Sequence, residues 1–385
     1  MQFIYKISPY VLSVLLLLFL TPEKAKADDL SLSAKSAILM EQGSGRVIFQ
    51  KDANKKSRIA SITKIMTAVL AAESGKMEET VNISSKAIGT EGSSLYLKHG
   101  QKMKLEDLVY GLMLRSGNDA AVAIAEYVGG SVEGFNWMMN QKAEEIGMNN
   151  THFSNPHGLD NTKNHYSTAY DMALLTRYAM NNEYYRKITG AKVHRTSNSI
   201  EDWDYVWRNK NRLLTQLYKY CTGGKTGYTK LAKRTLVTTA SKNSLDLIAV
   251  TLNASDDWND HISMYESAFE DYQNTEILPE GLLKEVKKKP YKGKAYIKNS
   301  FDYPLNKEIN EEEMVHVKLK LLKPSKNWLK DGEIPQRVGI AEIYLDNEKI
   351  GSRYIFYKRQ KEKVTLSQPS LYSVWKKTFN VFMGI

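Results

Sequence analysis

The sequence predicts an α/β fold of the α+β kind: an antiparallel sheet with a helical cluster, then a small all-β domain and a C-terminal amphipathic helix. Three observations carry this. Strand-like runs stand early, at residues 36–40 and 46–49, and again late, at 235–239 and 247–251. The stretch between them has the apolar periodicity of helices, so the first and last strands are expected side by side in one sheet. Beyond residue 276 the texture changes to the strict alternation of Val315-His316-Val317-Lys318-Leu319-Lys320-Leu321.

Taken in chain order, residues 1–27 read as an export signal. Lys6 supplies a positive start, residues 11–20 are apolar except for Ser13, and Ala25-Lys26-Ala27 offers a small-x-small cleavage site before Asp28. The apolar run is short for a membrane span. Gly43-Ser44-Gly45 joins the first two strand runs as a hairpin. Ser61 then heads a helix marked by Ile62, Ile65, Met66, Val69 and Leu70 and closed by Gly75. Helical patterning returns at 107–128, 135–146 and 169–180. Lys242-Asn243-Ser244 turns between the two late, β-branched runs. Residues 28–275 are therefore expected to form the first domain and 276–357 the β domain, in which Asp346-Asn347 marks a hairpin. In the tail, 358–385, Leu371, Val374, Trp375, Thr378, Phe379 and Phe382 recur at helical spacing with Lys376 and Lys377 opposite. That pattern suits an amphipathic helix on a membrane surface, or one docked on the protein's own core.

Composition narrows the function. The chain of 385 residues has 54 Lys+Arg against 43 Asp+Glu, a net charge of +11, of which +9 remains once residues 1–27 are removed. The basic residues are spread out, and no helix-turn-helix, zinc or RNA-binding signature accompanies them, so no nucleic-acid partner is expected. Attraction to an anionic wall or lipid surface fits the charge. Cys221 is the single cysteine, which excludes an internal disulfide; it is expected to be a packing residue. The histidines show no metal spacing, and no cofactor or metal is expected.

Three short motifs carry chemistry. In Ser61-Ile62-Thr63-Lys64 the serine and lysine share a helix face, so the amine can take the hydroxyl proton once its pKa is lowered. Ser116-Gly117-Asn118 offers a proton relay in Ser116 and an amide in Asn118 to hold a substrate carbonyl. Lys225-Thr226-Gly227 offers a cation, a donor for a carboxylate, and a residue without a side chain where a ligand can approach backbone. Each motif alone is weak: Ser373-Val374-Trp375-Lys376 matches the first pattern, and Ser241-Lys242-Asn243 and Ser325-Lys326-Asn327 match the second. The helix headed by Ser61, the order of the motifs and their spacing set the first matches apart.

With these blocks, and with Asn155-Pro156-His157-Gly158-Leu159 and Gly223-Gly224-Lys225-Thr226-Gly227-Tyr228-Thr229, the chain resembles the serine penicillin-recognising enzymes. More closely it resembles the low-molecular-mass D-alanyl-D-alanine carboxypeptidases. Around Thr229-Lys230-Leu231-Ala232-Lys233-Arg234 it looks most like the sporulation-type enzyme of endospore formers. The resemblance implies a β-lactamase/transpeptidase-like fold and an exported hydrolase that removes the terminal D-alanine from peptidoglycan stem peptides. It implies that Ser61 attacks, that Lys64 is the base, and that Ser116, held by Lys64 and Lys225, passes the proton on. Asn118 would orient the substrate, Lys225 and Thr226 would receive its carboxylate, and the backbone of Ser61 and Tyr228 would form the oxyanion hole beside Gly227. β-Lactams would acylate the same serine. Two departures stand out. Tyr228 occupies a position that is histidine in many relatives, and the arginine that many carry after the last long strand is missing from Asp256-Asp257-Trp258-Asn259-Asp260-His261, leaving His261 or Arg234 to replace it. Three rival readings share these motifs. A class A β-lactamase needs a glutamate that residues 158–172 lack; a D,D-endopeptidase cuts the same bond type; a non-catalytic wall-binding protein could have dispensed with Lys64, Ser116 or Lys225.

Overall fold

The computed structural model describes residues 30–326, 328 and 334–359, and the backbone of 378–383. The signal read over 1–27 and residues 360–377 of the tail lie outside the described residues. The chain divides into two compact units, 1–32 and 33–385. Of the first, only Leu30, Ser31 and Leu32 are described, and none is in a helix or strand.

In the second unit, strands β1 (Ser36–Glu41) and β2 (Val47–Lys51) form the expected hairpin, with Gly45 at φ 80° in its turn. Two short pairs follow: β3 (Thr80–Asn82) with β4 (Lys102–Lys104), and β5 (Val193–Thr196) with β6 (Tyr205–Arg208). Next come β7 (Cys221–Thr229), β8 (Lys233–Lys242) and β9 (Leu245–Ala254), which complete an antiparallel sheet ordered β2-β1-β9-β8-β7. The earliest and latest strands lie together as expected, with Ala37 opposite Thr251 and Leu39 opposite Ala249. Asn243 and Ser244 take positive φ in the tight turn between β8 and β9.

Helices cover the sheet. Lys64–Glu73 has almost no polar face, and nine of its ten residues are buried; a helix apolar all round belongs inside a core. It packs among Leu105–Tyr110, Asn118–Gly129, Val132–Ile146 and Ala169–Ala179 around one large cluster that includes Ile38, Met66, Leu112, Ile124 and Val250. The helical pattern expected over 107–128 is interrupted: a π-helical turn at Gly111–Arg115 ends in Ser116 at φ 67°. Such turns recur at functional sites, and this one lifts Ser116 out of the helix.

The C-terminal sheets have a separate core that includes Ile277, Val317, Leu319, Ala341 and Ile355. Strand β10 (Tyr272–Leu278) pairs β13 (Phe301–Asn306). A second sheet runs β11 (Gly281–Leu282), β12 (Ala295–Ile297), β16 (Glu348–Tyr357), β15 (Arg337–Leu345), β14 (Val315–Leu321) and β17 (Thr378–Met383) in that spatial order. In β14 the alternating Val315, Val317, Leu319 and Leu321 are buried, as the pattern required. Arg46 of the first hairpin turn forks onto Glu311, at 2.6 and 2.7 Å, and donates to the Pro304 carbonyl, tying the two cores together. The amphipathic helix expected through the tail is corrected at its end. Residues 378–383 are a strand in parallel register with β14, His316 opposite Thr378. Phe379, Val381 and Met383 also satisfy a period of two, which a short apolar run cannot separate from a helix, and the strand supplies partners to an otherwise open edge. Among the described residues no helix is long and apolar enough to cross a membrane.

Candidate active site

The three motifs converge on a cleft of about 330 Å³ lined by residues that include Ser61, Ser116, Lys210, Thr226, Gly227 and Arg234. Ser61 sits in a 3-10 turn, Ala60–Thr63, that leads into the central helix. The turn is strained and tightly held. Ala60 has φ 48°, where residues with a Cβ are uncommon. Thr235 Oγ1 donates to the Ile59 carbonyl at 3.0 Å, and Thr63 Oγ1 to that of Ala60 at 2.8 Å. Gly158, at φ 89°, packs so closely that a Cβ there would lie 1.9 Å from the Ala60 carbonyl oxygen. This is why glycine stands at position 158 of the Asn155–Leu159 turn.

Lys64 is fully buried. Its Nζ lies 3.1 Å from Ser61 Oγ and donates to Asn118 Oδ1 at 2.6 Å and to the His157 carbonyl at 2.7 Å. A neutral amine has two hydrogens and one lone pair. With both hydrogens placed on those acceptors, the lone pair is left for the Ser61 hydroxyl. Burial first, then the charges of Lys225 and Lys210, pushes the Lys64 pKa well below its ordinary value and favours that neutral form. The arrangement is a serine with a built-in base.

Asn118 is held between the base and a neighbouring loop. Its Oδ1 holds Lys64 and its Nδ2 donates to the Glu91 carbonyl at 2.6 Å, so its amide orients the base. Its neighbour Asp119 accepts from the backbone of Leu95 and from Ser94 Oγ, fixing the Ser93–Leu97 wall. Ser116 opens onto the same cleft as Ser61. Among the described residues no hydrogen bond joins it to either lysine. Lys225 instead donates to the Thr226 carbonyl at 2.7 Å. Burial, then Lys210, brings Lys225 down to about 7.

Strand β7 is the edge of its sheet, so the side facing Ser61 is free of a neighbouring strand. Gly227 lets that edge come close: a Cβ there would stand 2.4 Å from Thr235 Oγ1 and 3.0 Å from the Ser61 nitrogen. Thr226 and the exposed Tyr228 flank it on the cleft.

Of the two residues that could stand in for the missing arginine, only one lines the cleft. His261 is completely buried between Thr238 Oγ1 (2.6 Å) and Thr251 Oγ1 (3.0 Å), and burial lowers its pKa to about 3. It cannot reach a ligand. Arg234 does line the cleft, with Nε donating to Asp257 at 2.9 Å and the guanidinium 5.4 Å over the Trp258 ring. Lys210, which the sequence reading did not single out, is a second cation there. Its only sequence signal is its place next to Asn211, whose Nδ2 donates to the Gly223 carbonyl of the Lys225 strand at 3.3 Å. Two side chains are removed from consideration. His157 is a buried turn residue whose Nδ1 accepts from the Leu159 nitrogen at 3.2 Å, and its pKa falls to about 3. Cys221 is buried, with its pKa raised to about 11, the state of a packing residue rather than a nucleophile. Among the described residues no cluster of His, Cys, Asp and Glu is fit to hold a metal.

Comparison with known proteins places this geometry. DacF of Bacillus subtilis, a D-alanyl-D-alanine carboxypeptidase, is 38% identical over 260 residues, covering 65% of this chain and 66% of its own. DacC of Escherichia coli, which carries the same description, is 37% identical over 59% of this chain and 58% of its own. The match thus spans less than two thirds of either relative. Among solved structures, penicillin binding protein 5 of Haemophilus influenzae superposes with TM-score 0.69 at 25% identity, covering 85% of this chain and 97% of that one. DacD of Francisella tularensis superposes with TM-score 0.64 at 26% identity, over 85% and 93%. The family model described as D-alanyl-D-alanine carboxypeptidase matches residues 22–256, well over half of the sequence and the whole span from hairpin to last sheet strand, so the chain belongs to the D-alanyl-D-alanine carboxypeptidase family.

Proposed function

We propose that the protein is a serine D-Ala-D-Ala carboxypeptidase that trims the last D-alanine from peptidoglycan stem peptides through an acyl-enzyme. One observation carries this reading: the buried Lys64 amine lies 3.1 Å from Ser61 Oγ, with the Asn118 Oδ1 and His157 carbonyl acceptors at 2.6 and 2.7 Å to take its hydrogens. Ser61 Oγ attacks the carbonyl between the two D-alanines while Lys64 takes its proton. The oxyanion lies against the backbone N–H groups of Ser61 and Tyr228, which Gly227 allows to approach each other. Ser116 relays the proton to the departing amine, and D-alanine leaves. Water, deprotonated by the same lysine, cleaves the ester. The free carboxylate of the substrate is received by Thr226 together with Lys225, Lys210 and Arg234, and Asn118 keeps Lys64 in place. A β-lactam follows the same route as far as the acyl-enzyme.

The peptidase portion is assigned to residues 28–275 and the β-rich portion to 276–357. Export, cleavage after Ala27 and action at the cell wall belong to the same reading, as does the sporulation-type kinship. Attachment to the membrane surface by a tail helix is not carried forward, because 378–383 are a strand. The test is to incubate the protein with a peptide ending in D-Ala-D-Ala, measure released D-alanine, and label with a fluorescent penicillin. Both signals are expected and both vanish in Ser61→Ala. Either one surviving that substitution sinks the assignment.

A further inference from the structure

His165 is 2% exposed, and each nitrogen of its ring has a partner. Nδ1 lies 3.1 Å from the Ser154 backbone nitrogen, and Nε2 lies 2.8 Å from Thr63 Oγ1. A backbone N–H can only donate, so Nδ1 is bare and accepts. Burial lowers the pKa of the ring to about 4, so at neutral pH it carries a single hydrogen, which sits on Nε2. Nε2 therefore donates to Thr63 Oγ1. The Thr63 hydroxyl gives its own hydrogen to the Ala60 carbonyl at 2.8 Å. Every bond thus points one way, from the Ser154 N–H through His165 and Thr63 to the Ala60 carbonyl.

The ends of this chain belong to the two halves of the site. Ala60, at φ 48°, directly precedes Ser61. A conformation that residues with a Cβ rarely adopt persists only where its surroundings hold it. Ser154 leads into the turn whose His157 carbonyl accepts from Lys64 Nζ at 2.7 Å, and whose Pro156 carbonyl accepts from Thr67 Oγ1 at 2.6 Å. The imidazole is itself pinned. Tyr166 exchanges both backbone bonds with His152, at 2.9 and 3.1 Å, and Ser167 exchanges both with Ser57, at 2.8 and 3.0 Å. Phe153 stands edge-on to the ring, with centroids 6.0 Å apart. An apolar side chain would fill the same space, but it would leave the Ser154 N–H without this acceptor and the Thr63 hydroxyl free to turn.

We propose that His165 is a positioning residue for acylation: the hydrogen-bond chain from Ser154 to Ala60 holds the turn of the nucleophile and the carbonyl acceptor of the base in one frame, and so sets the 3.1 Å between Ser61 Oγ and Lys64 Nζ; this rests on the carboxypeptidase reading above. His165 acts through Thr63 and Ser154 and touches neither reacting atom. Misplacement of a reacting group by about 1 Å costs about a hundredfold in rate, so a frame of this kind bears directly on turnover.

The test compares His165→Asn with His165→Gln in the full chain. Asparagine can place its amide oxygen where Nδ1 stood and keep the Ser154 acceptor. Glutamine can place its amide nitrogen where Nε2 stood and keep the donor to Thr63. Both disturb packing, and both are expected to lower the melting temperature. The acylation rate constant with a chromogenic β-lactam separates them: about tenfold slower in His165→Asn, the upper end for one lost hydrogen bond, and no more than about threefold slower in His165→Gln. The half-saturating β-lactam concentration moves in neither. Thr63→Val repeats the tenfold loss, Thr63→Ser recovers it, and Thr63→Val combined with His165→Asn is no slower than either alone. In the wild type at neutral pH, nitrogen NMR of isotope-labelled histidine shows the His165 hydrogen on Nε2. Equal losses in the two His165 variants, or losses that multiply in the double variant, reduce His165 to a packing residue and overturn the proposal. A hydrogen on Nδ1 overturns it without any variant. A wild type that the β-lactam does not acylate sinks the carboxypeptidase reading and this proposal with it, whereas the preceding outcomes sink the proposal alone.

Discussion

Arg234→Ala isolates the guanidinium proposed to receive the substrate carboxylate. A charge-assisted hydrogen bond to a carboxylate is worth about 1.5–3 kcal/mol. The lower end applies here. The Arg234 side chain is 40% exposed and already shared with Asp257, so water and that partner screen it, while Lys210 and Lys225 keep part of the field. About 1.4 kcal/mol corresponds to a tenfold fall in kcat/KM. The assay is D-alanine release from a peptide ending in D-Ala-D-Ala, compared with the same peptide ending in the D-alaninamide. The acid should lose about tenfold in the variant and the amide far less, since the interaction is with the charge. Because the substitution leaves the buried Asp257 without its cation, melting curves must accompany the kinetics, and Arg234→Lys should restore part of the discrimination without restoring the Trp258 stacking. An equal loss on acid and amide, or none on either, would refute the assignment of Arg234 to the carboxylate.

Three further outcomes are expected. Lys64→Gln should cut the rate of penicillin acylation by at least about a hundredfold, the general-base contribution, measured by stopped-flow with a chromogenic β-lactam; acylation within a few fold of wild type would remove Lys64 from the base role. Gly227→Ala should slow acylation and lower the melting temperature, since its Cβ meets Thr235 Oγ1 and approaches the Ser61 nitrogen; overpacking of this kind costs about 1–3 kcal/mol, and a variant with normal acylation would mean that β7 can retreat at no cost. Stability should rise with pH. The folded pKa of Lys225 is about 7, below the ordinary lysine value that holds when the chain is unfolded, so between the two the unfolded state binds more protons and unfolding grows harder with pH, by up to about 1.4 kcal/mol per unit. Denaturant titrations of the wild type and Lys225→Met from pH 7 to pH 9 check this, and the variant should show the shallower slope.

Most of the site was legible because its chemistry is local. Ser61 and Lys64 are one helical turn apart, and the helix that carries them announces itself in Ile65, Met66, Val69 and Leu70. What stayed hidden depends on long-range packing. Asn118 reads as a substrate ligand in sequence, and its contacts to Lys64 and the Glu91 carbonyl appear only in the fold. Arg234 and His261 are equal candidates on paper; only the stacking of Asp257–Asp271 on the sheet shows that one side chain faces the cleft and the other the core. Lys210 belongs to no motif. Only the end of the tail, 378–383, departs from the expected helix, since a short apolar run that fits both periods is decided by whatever strand edge is open to it.

The pairing of β1 with β9 has a consequence for how the enzyme comes into being. Ala37 cannot find Thr251 until almost the entire peptidase portion exists, and Lys64 needs Asn118 and His157 to hold it. A partly synthesised chain has neither a closed sheet nor a held Lys64. Contacts of such separation in sequence form slowly. The site is therefore complete only once the late strand β9 is in place beside β1.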